Sequence, residues 1–194
     1  EQLYNFEVAF FDEKLSENNV VKARDCQVVS VFVDSQIDKN ILSQLSELKM
    51  IATRSTGFDH IDLKETGSRK IIVSNVPNYG ENTVAEHTFG LILNLSRKIY
   101  KSIESVKEKG FIPDGLRGFD LKGKTLGIVG TGNIGAHVAR IANGFEMNVL
   151  AYDINKDKEL SKQLGFKYVL LEELLKNSDI ITLHVPYNKN THHL

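Results

Sequence analysis

Three glycines with the spacing G-x-G-x-x-G stand between an apolar segment and a segment rich in Ala, Val and Ile. They are Gly130, Gly132 and Gly135. The first permits a tight turn, the second lets the backbone approach a pyrophosphate, and the third lets a helix pack against the preceding strand. A diphosphate would rest on the backbone amides around Asn133 and Ile134. The pattern predicts a dinucleotide-binding site.

An acidic residue, Asp153, follows the first glycine by about 20 residues, at the end of the next predicted strand. Its carboxylate can accept hydrogen bonds from both hydroxyls of an adenosine ribose and would repel a 2′-phosphate. NAD is therefore expected in preference to NADP, although Lys156 nearby weakens this preference slightly. The alternative is a strand-to-helix turn without a ligand, with an aspartate that only caps a turn.

The elements that must position this motif alternate between strand and helix from Lys124 onward. Strands are predicted at 125–130, 148–153, near Tyr168 and at 179–185, and helices at 133–145, 158–164 and 171–177. This order predicts a doubly wound parallel sheet. In the strand order of such a sheet, the apolar segment 180–183 forms an unpaired edge, so an isolated chain is expected to self-associate or to be poorly soluble.

The first part of the chain alternates in the same way and predicts another parallel α/β sheet. Strands are expected at 7–11, 28–33, 49–53 and 70–74, with 28–33 fully buried, and helices at 38–48 and at 62–67, where Asp62 can be the cap.

A longer helix is predicted from Thr83 to about Lys101, because Thr83 and Glu86 fit a capping box. Its apolar residues occupy more than one face, which indicates contact with a second domain or a second subunit. Residues 110–123 contain Pro113 and several glycines and predict a loop. We therefore expect an incomplete substrate domain over 1–105, a linker over 106–123 and an incomplete NAD-binding domain over 124–194.

Composition narrows the possible partners. The 194 residues are 41% hydrophobic and carry 24 basic against 25 acidic side chains, a net charge of −1 that favours a small-molecule ligand over nucleic acid or an anionic membrane. The single cysteine, Cys26, and the lack of an apolar run of about 18 residues favour the cytoplasm. The chain starts at Glu1 without a Met, so we expect it to begin inside a longer gene product.

Two further segments carry a family resemblance. Residues 54–62 read RSTGFDHID and residues 76–87 read VPNYGENTVAEH. They resemble the two signature segments of the D-2-hydroxyacid dehydrogenases, and most of all the D-lactate dehydrogenase branch. The resemblance spans essentially the whole chain. It implies a flavodoxin-like substrate domain and the first part of a Rossmann NAD-binding domain, in a homodimeric enzyme that transfers hydride between NADH and a small 2-oxo acid such as pyruvate.

The resemblance also implies site residues. Backbone amides of Thr56 and Gly57 would hold the substrate carboxylate, and Tyr79 would face the substrate, with core packing as its alternative. Three residues near the end of the chain would lie along or close to the cofactor, although the proline could simply end a strand: Val185, Pro186 and Thr191. Where lactate-type members often carry Ser-Pro after the tyrosine, this chain has Gly-Glu, which leaves the identity of the acid open.

No catalytic residue is expected within this chain. The family uses an Arg to grip the 2-oxo acid, a His to exchange the proton and a Glu beside that His, and in relatives all three lie downstream of the position of Leu194. We therefore expect an inactive fragment. His60 and His87 are expected to be structural, and no cluster has the spacing of a metal site. The alternatives are other substrates (glycerate, phosphoglycerate, formate or phosphite), or an NAD-sensing corepressor on the same scaffold.

Overall fold

The computed structural model describes residues 6–110 and 112–194. The chain divides into two compact units, Glu1–Tyr79 and Gly80–Leu194. This division lies earlier in the sequence than the boundary that we expected within 106–123. The reason is that the long helix after Tyr79 packs against the helix Asn133–Gly144, which follows the fingerprint glycines. Within the described part, no helix is long and apolar enough to cross a membrane.

The first unit is a three-stranded parallel sheet with helices. Its elements are β1 (Val28–Val31), α1 (Lys39–Gln44), β2 (Met50–Thr53), α2 (Leu63–Ser68) and β3 (Ile72–Ser74), and the strand order is β1-β2-β3. Asp38 and Asp62 cap the two helices, each accepting a hydrogen bond from an amide in the first turn, as expected for Asp62. Arg69 donates to the carbonyls of Leu42 and Leu45 and so covers the end of α1.

Two strand predictions in this unit were wrong. Residues 7–11 form no strand, and Phe10 is 88% exposed. A β segment needs a hydrogen-bonded neighbour, and in the described part of the chain none pairs with this one. The predicted buried strand 28–33 ends at Val31 and alternates between exposed and buried residues, because its apolar side chains point to opposite faces of the sheet.

The second unit is a doubly wound sheet preceded by two helices. Its elements are α3 (Glu81–Ser96), α4 (Ile99–Lys109), β4 (Thr125–Val129), α5 (Asn133–Gly144), β5 (Asn148–Tyr152), α6 (Lys158–Leu164), β6 (Lys167–Tyr168), α7 (Leu171–Asn177) and β7 (Ile180–Leu183). The strands are parallel in the order β6-β5-β4-β7, which confirms the predicted fold, and β7 is an edge. The described residues of 110–123 are irregular, as predicted; Phe111 lies outside them.

The helix expected from Thr83 to Lys101 is in fact two helices. The first begins at Glu81 after Gly80, so Thr83 is not its cap and the capping box is wrong. The chain turns at Lys98, whose φ is 52°, and the Asn94 side chain accepts from the Tyr100 amide at 2.9 Å to cap α4. One face of α3, including Phe89, is buried, while other apolar residues of α3 are exposed.

Candidate functional site

The three fingerprint glycines occupy the turn between β4 and α5, and each has a distinct environment. Gly130 has a φ of +93°, and a Cβ there would lie 2.8 Å from the His184 carbonyl oxygen. A Cβ on Gly135 would overlap the Gly130 carbonyl, so the close contact of helix and strand requires glycine. Gly132 instead faces open space among the described residues. The turn therefore leaves a cradle beside Gly132, in which a ligand group can come close to the backbone.

The cradle opens onto the N-terminus of α5. The first hydrogen bond of this helix runs from the Ala136 amide to the Gly132 carbonyl, 2.9 Å. The amides of Ile134 and Gly135 precede it and point out of the helix end, where the helix dipole favours negative charge. The Asn133 side chain donates to Glu81 Oε1 at 3.1 Å, which ties the start of α5 to the start of α3. A pyrophosphate fits this arrangement of amides and empty space.

Asp153 lies just beyond β5, whose end pairs with the end of β4. Its Oδ2 accepts from the Thr131 amide at 2.6 Å and from the Thr131 hydroxyl at 3.1 Å, and its Oδ1 accepts from the Asn155 amide at 2.8 Å. Burial would raise the pKa of Asp153, but these hydrogen bonds, with one from the Ile154 amide, together lower it. A fixed carboxylate anion therefore stands at the carboxyl edge of the sheet.

The end of β7 forms the other side of the turn. The His184 amide donates to the Val129 carbonyl at 2.8 Å, and the Val185 side chain lies beside Gly130. In the described part of the chain, His184 Nε2 and Thr182 Oγ1 are buried and have no hydrogen-bond partner. Burial lowers the pKa of His184.

The two remaining cofactor candidates form one small turn. The Thr191 hydroxyl donates to the Pro186 carbonyl at 2.5 Å, and the Asn188 amide donates to Thr191 Oγ1 at 2.9 Å. Pro186 is exposed and follows β7 closely. Thr191 therefore has a structural partner of its own, and it folds the chain back toward the end of the strand.

In the first unit, the loop after β2 is held by a buried chain of hydrogen bonds. The Ser55 hydroxyl donates to the Gly57 carbonyl at 2.7 Å, Thr53 Oγ1 lies 2.6 Å from Ser55 Oγ, and His60 Nε2 lies 3.1 Å from Thr53 Oγ1. A carbonyl only accepts, so the single hydroxyl proton of Ser55 is donated to the Gly57 carbonyl. Thr53 must then donate its hydroxyl proton to Ser55, and His60 Nε2 must donate to Thr53. Burial lowers the pKa of His60, against the opposing effect of Asp59.

This chain of hydrogen bonds shapes the predicted carboxylate-binding loop. Thr56 donates through its hydroxyl to the Val76 carbonyl at 3.0 Å, and its own carbonyl accepts from the Asn75 side chain at 2.8 Å. Beside the loop lies a cavity of about 330 Å³ lined by Val33, Gln36, Gly57, Asp59 and His60. Tyr79 is 58% exposed, which argues against the alternative that it packs in a core.

Sequence reasoning missed several hydroxyl groups. Thr131 occupies a variable position of the fingerprint, yet it is buried and binds Asp153. Tyr168 lies within reach of Thr131. A hydroxyl-bearing residue at the carboxyl end of a strand beside the fingerprint was the available signal. Ser55 and Thr53 lie at the end of β2 in the same way, and the structural role expected of His60 agrees with its burial and its hydrogen bond to Thr53.

The match to a family model decides the family. Residues 89–194 match the NAD-binding domain of the D-isomer specific 2-hydroxyacid dehydrogenases. The chain belongs to this family. Residues 89–194 of its second unit therefore belong to the family's NAD-binding domain, with the Rossmann-type fold expected from the fingerprint.

Individual relatives of this chain agree with the family match. A 2-hydroxyacid dehydrogenase homolog of Haemophilus influenzae is 42% identical over 193 residues, which are 98% of this chain and 58% of the relative. The D-lactate dehydrogenase of Escherichia coli is 36% identical over 98% of this chain and 58% of its own length. The chain thus spans about 58% of these curated relatives.

Among solved structures, D-lactate dehydrogenase from Aquifex aeolicus, complexed with NAD and lactic acid, superposes with a TM-score of 0.85 at 43% identity. The match covers 93% of this chain and 54% of that chain. The apo-structure of the Escherichia coli D-lactate dehydrogenase gives 0.84 at 36% identity. Both dehydrogenases therefore share the fold of this chain over almost its entire length.

Proposed function

We propose that the complete gene product is an NAD-dependent dehydrogenase that interconverts a small 2-oxo acid and its D-2-hydroxy acid, with pyruvate and D-lactate as the first pair to test. The observation that carries the proposal is the glycine cradle at the start of α5, with the Asp153 carboxylate fixed at the neighbouring strand end. The similarity to a D-lactate dehydrogenase complexed with NAD and lactic acid supports the choice of substrate.

Each unit has its own task in this proposal. In the second unit, the amides of Asn133 and Ile134 hold the pyrophosphate, and Asp153 accepts from the adenosine ribose. Val185 and Pro186 line the cofactor, with Thr191 supporting them. When bound, NAD supplies the hydride acceptor and NADH the hydride donor.

The first unit is proposed as the substrate domain. The amides of Thr56 and Gly57 bind the substrate carboxylate. The hydrogen bond from Ser55 to the Gly57 carbonyl fixes the orientation of this loop and so of its amides. The exposed side chain of Tyr79 is free to contact a substrate. His60 already donates to Thr53, so we assign the proton exchange and the gripping of the oxo group to the family's His and Arg, not to this loop.

The test is NADH oxidation by the complete gene product with pyruvate, glyoxylate and larger 2-oxo acids, alongside the 194-residue chain. We expect turnover by the complete product, and NADH binding at most by the chain alone. NADH binding by the complete product without turnover of any 2-oxo acid would contradict the enzyme proposal and favour the NAD-sensing regulator. Clear turnover by the 194-residue chain would mean that catalytic residues lie within it.

We also propose a cytoplasmic homodimer, with the exposed apolar side chains of α3 and α4 contributing to the interface. Several apolar residues of α3 and α4 are exposed: Leu91 54%, Leu95 73%, Ile99 43%, Ile103 49% and Val106 53%. A monomer rarely leaves so many neighbouring apolar groups in water. Light scattering should give a dimer for the complete gene product and a monomer for Leu95→Glu, while Lys101→Glu stays dimeric. A wild-type monomer would contradict the proposal.

A further inference from the structure

A chain of hydrogen bonds extends from the nucleotide site to the far edge of the sheet. The Asp157 amide donates to the Tyr168 hydroxyl at 3.1 Å, the Tyr168 hydroxyl lies 2.8 Å from Thr131 Oγ1, and Thr131 Oγ1 lies 3.1 Å from Asp153 Oδ2. Asp157, Tyr168 and Thr131 are thus linked in series to one carboxylate oxygen of Asp153, which Thr131 alone of the three contacts directly. The fingerprint itself requires only the glycines and the aspartate.

The direction of these hydrogen bonds is fixed by the aspartate. An ionised carboxylate only accepts, so the Thr131 hydroxyl must give its single proton to Asp153. The Tyr168 hydroxyl must then donate to Thr131, and it accepts from the Asp157 amide. Every donor is used once. The Tyr168 phenol therefore donates to the Thr131 oxygen and holds this hydroxyl from the side opposite Asp153.

Packing holds both hydroxyl groups in place. Thr131 is 7% exposed. The Tyr168 ring meets the buried Phe166 ring edge-on, with centroids 5.2 Å apart, and β6 pairs Tyr168 with Ala151 of β5. Since neither side chain is free to rotate, the Thr131 hydroxyl joins the amides of Thr131 and Asn155 in keeping the Asp153 carboxylate in one position before any ligand binds.

We propose that Tyr168 is a positioning residue that acts through Thr131 to fix the Asp153 carboxylate, and so sets the preference for NAD over NADP. The inference rests on the proposed nucleotide site. A carboxylate that is held in place accepts from a ribose hydroxyl without reorganisation, whereas one that can rotate away relieves the repulsion of a 2′-phosphate. The exposed Lys156 nearby would then attract that phosphate.

The experiment is fluorescence titration of NADH and NADPH into the complete gene product and its variants. Tyr168→Phe and Thr131→Val each remove one hydroxyl, and the ratio of the NADPH Kd to the NADH Kd should fall about 3- to 10-fold, a change of the size expected for the loss of one ordinary hydrogen bond. Thr131→Ser keeps the hydroxyl and should keep the ratio within about 2-fold of wild type. Tyr100→Phe, which removes an exposed phenol from α4, should not change it.

Three results would overturn the proposal. If both dinucleotides weaken by the same factor in Tyr168→Phe and Thr131→Val, the hydroxyls serve stability only, and thermal unfolding of each variant will show this loss. If the wild type binds NADPH as tightly as NADH, the network sets no preference, although the dehydrogenase proposal stands. If the wild type binds neither, the nucleotide site and the proposed function fail together.

Discussion

At the scale of single residues, the loop after β2 depends on a hydroxyl group that touches no ligand in the proposal. Ser55 is 3% exposed and joins the Thr53 hydroxyl to the Gly57 carbonyl. Its loss would leave the buried Thr53 hydroxyl without an acceptor for its proton and the Gly57 carbonyl without its donor, and a buried polar group left unsatisfied typically costs about 1–3 kcal/mol. The orientation of the Gly57 peptide would become less defined, and with it the amides that we assign to the substrate carboxylate.

We therefore expect Ser55→Ala to raise the KM for the 2-oxo acid about 10-fold while the Kd for NADH stays unchanged. Steady-state kinetics and NADH titration of the complete gene product measure both. Ser68→Ala is the matched control, because Ser68 is exposed and donates only to a carbonyl of its own helix. An unchanged KM in Ser55→Ala would show that the loop keeps its shape without this hydroxyl.

Two histidines, the buried His60 and the partly buried His184, predict a loss of stability on mild acidification. Burial lowers the pKa of His60 and of His184 below the usual value of about 6.5. The unfolded chain therefore binds protons first as the pH falls through about 6.5, and the free energy of unfolding decreases until the folded-state pKa is reached. Urea denaturation at about pH 7.5 and pH 5.5 should show this decrease.

The histidine prediction has an internal control. Replacing His60 by Gln should reduce the slope of stability against pH between these two values, while His87→Gln, at an exposed position on α3, should leave the slope as in wild type. A free energy of unfolding that rises on acidification would contradict the argument, because a rise requires a histidine pKa that is higher in the folded state.

At the scale of elements, the sequence predicted helices correctly where local signals mark their ends. The predicted helices 158–164 and 171–177 match the structure, because the Asp157 cap, Gly165 in the left-handed region and apolar spacing agree. The predicted strand 7–11 failed, since strand formation depends on a distant neighbour that local sequence does not specify. The contact between the Thr131 and Tyr168 hydroxyls was missed for the same reason, because the two residues are 37 positions apart in the sequence.

The break between α3 and α4 shows a local cause that sequence patterns concealed. Apolar residues continue through Leu95 and Ile99, so the periodicity predicts one helix. The Asn94 side chain instead caps α4, and Lys98 takes a left-handed conformation that side chains with a Cβ adopt at a cost of about 1 kcal/mol. The capping group lies inside the first helix, where a cap is not sought.

Lys98→Gly should therefore increase the free energy of unfolding by about 0.5–1 kcal/mol, since glycine tolerates the positive φ. The hydrogen bond from Lys98 to the Gly115 carbonyl is exposed and its loss should offset little of this gain. Lys101→Gly, inside α4, should have the opposite sign and cost about 1 kcal/mol. Chemical denaturation of both variants tests the pair, and a loss of stability in Lys98→Gly would contradict the assigned conformation.

At the scale of the whole molecule, each compact unit has its own hydrophobic core. One core gathers around Ile37, Leu42 and Ile51 in the first unit, and the other around Leu126, Ile128 and Val138 in the second. Separate cores permit separate unfolding. A ligand that binds one unit should therefore stabilise that unit selectively.

We expect NADH at about 100 times its Kd to raise the free energy of opening of the second unit by about 2.7 kcal/mol, and to change that of the first unit little. Hydrogen–deuterium exchange of the complete gene product, resolved by peptide, reports the two units separately. Slower exchange should be confined to peptides such as those of β4 and α5. Equal protection of β1 and β2 would show that the two units unfold as one.

The wide sequence separation within the Asp153 network bears on how the protein is made. Thr131 leaves the ribosome 22 residues before Asp153 and 37 residues before Tyr168. At typical synthesis rates of about 5–20 residues per second, Tyr168 is synthesised about 2–7 seconds after Thr131. During that interval the Asp153 carboxylate can be held only by Thr131 and by backbone amides, so the full network forms only after β6 has been synthesised.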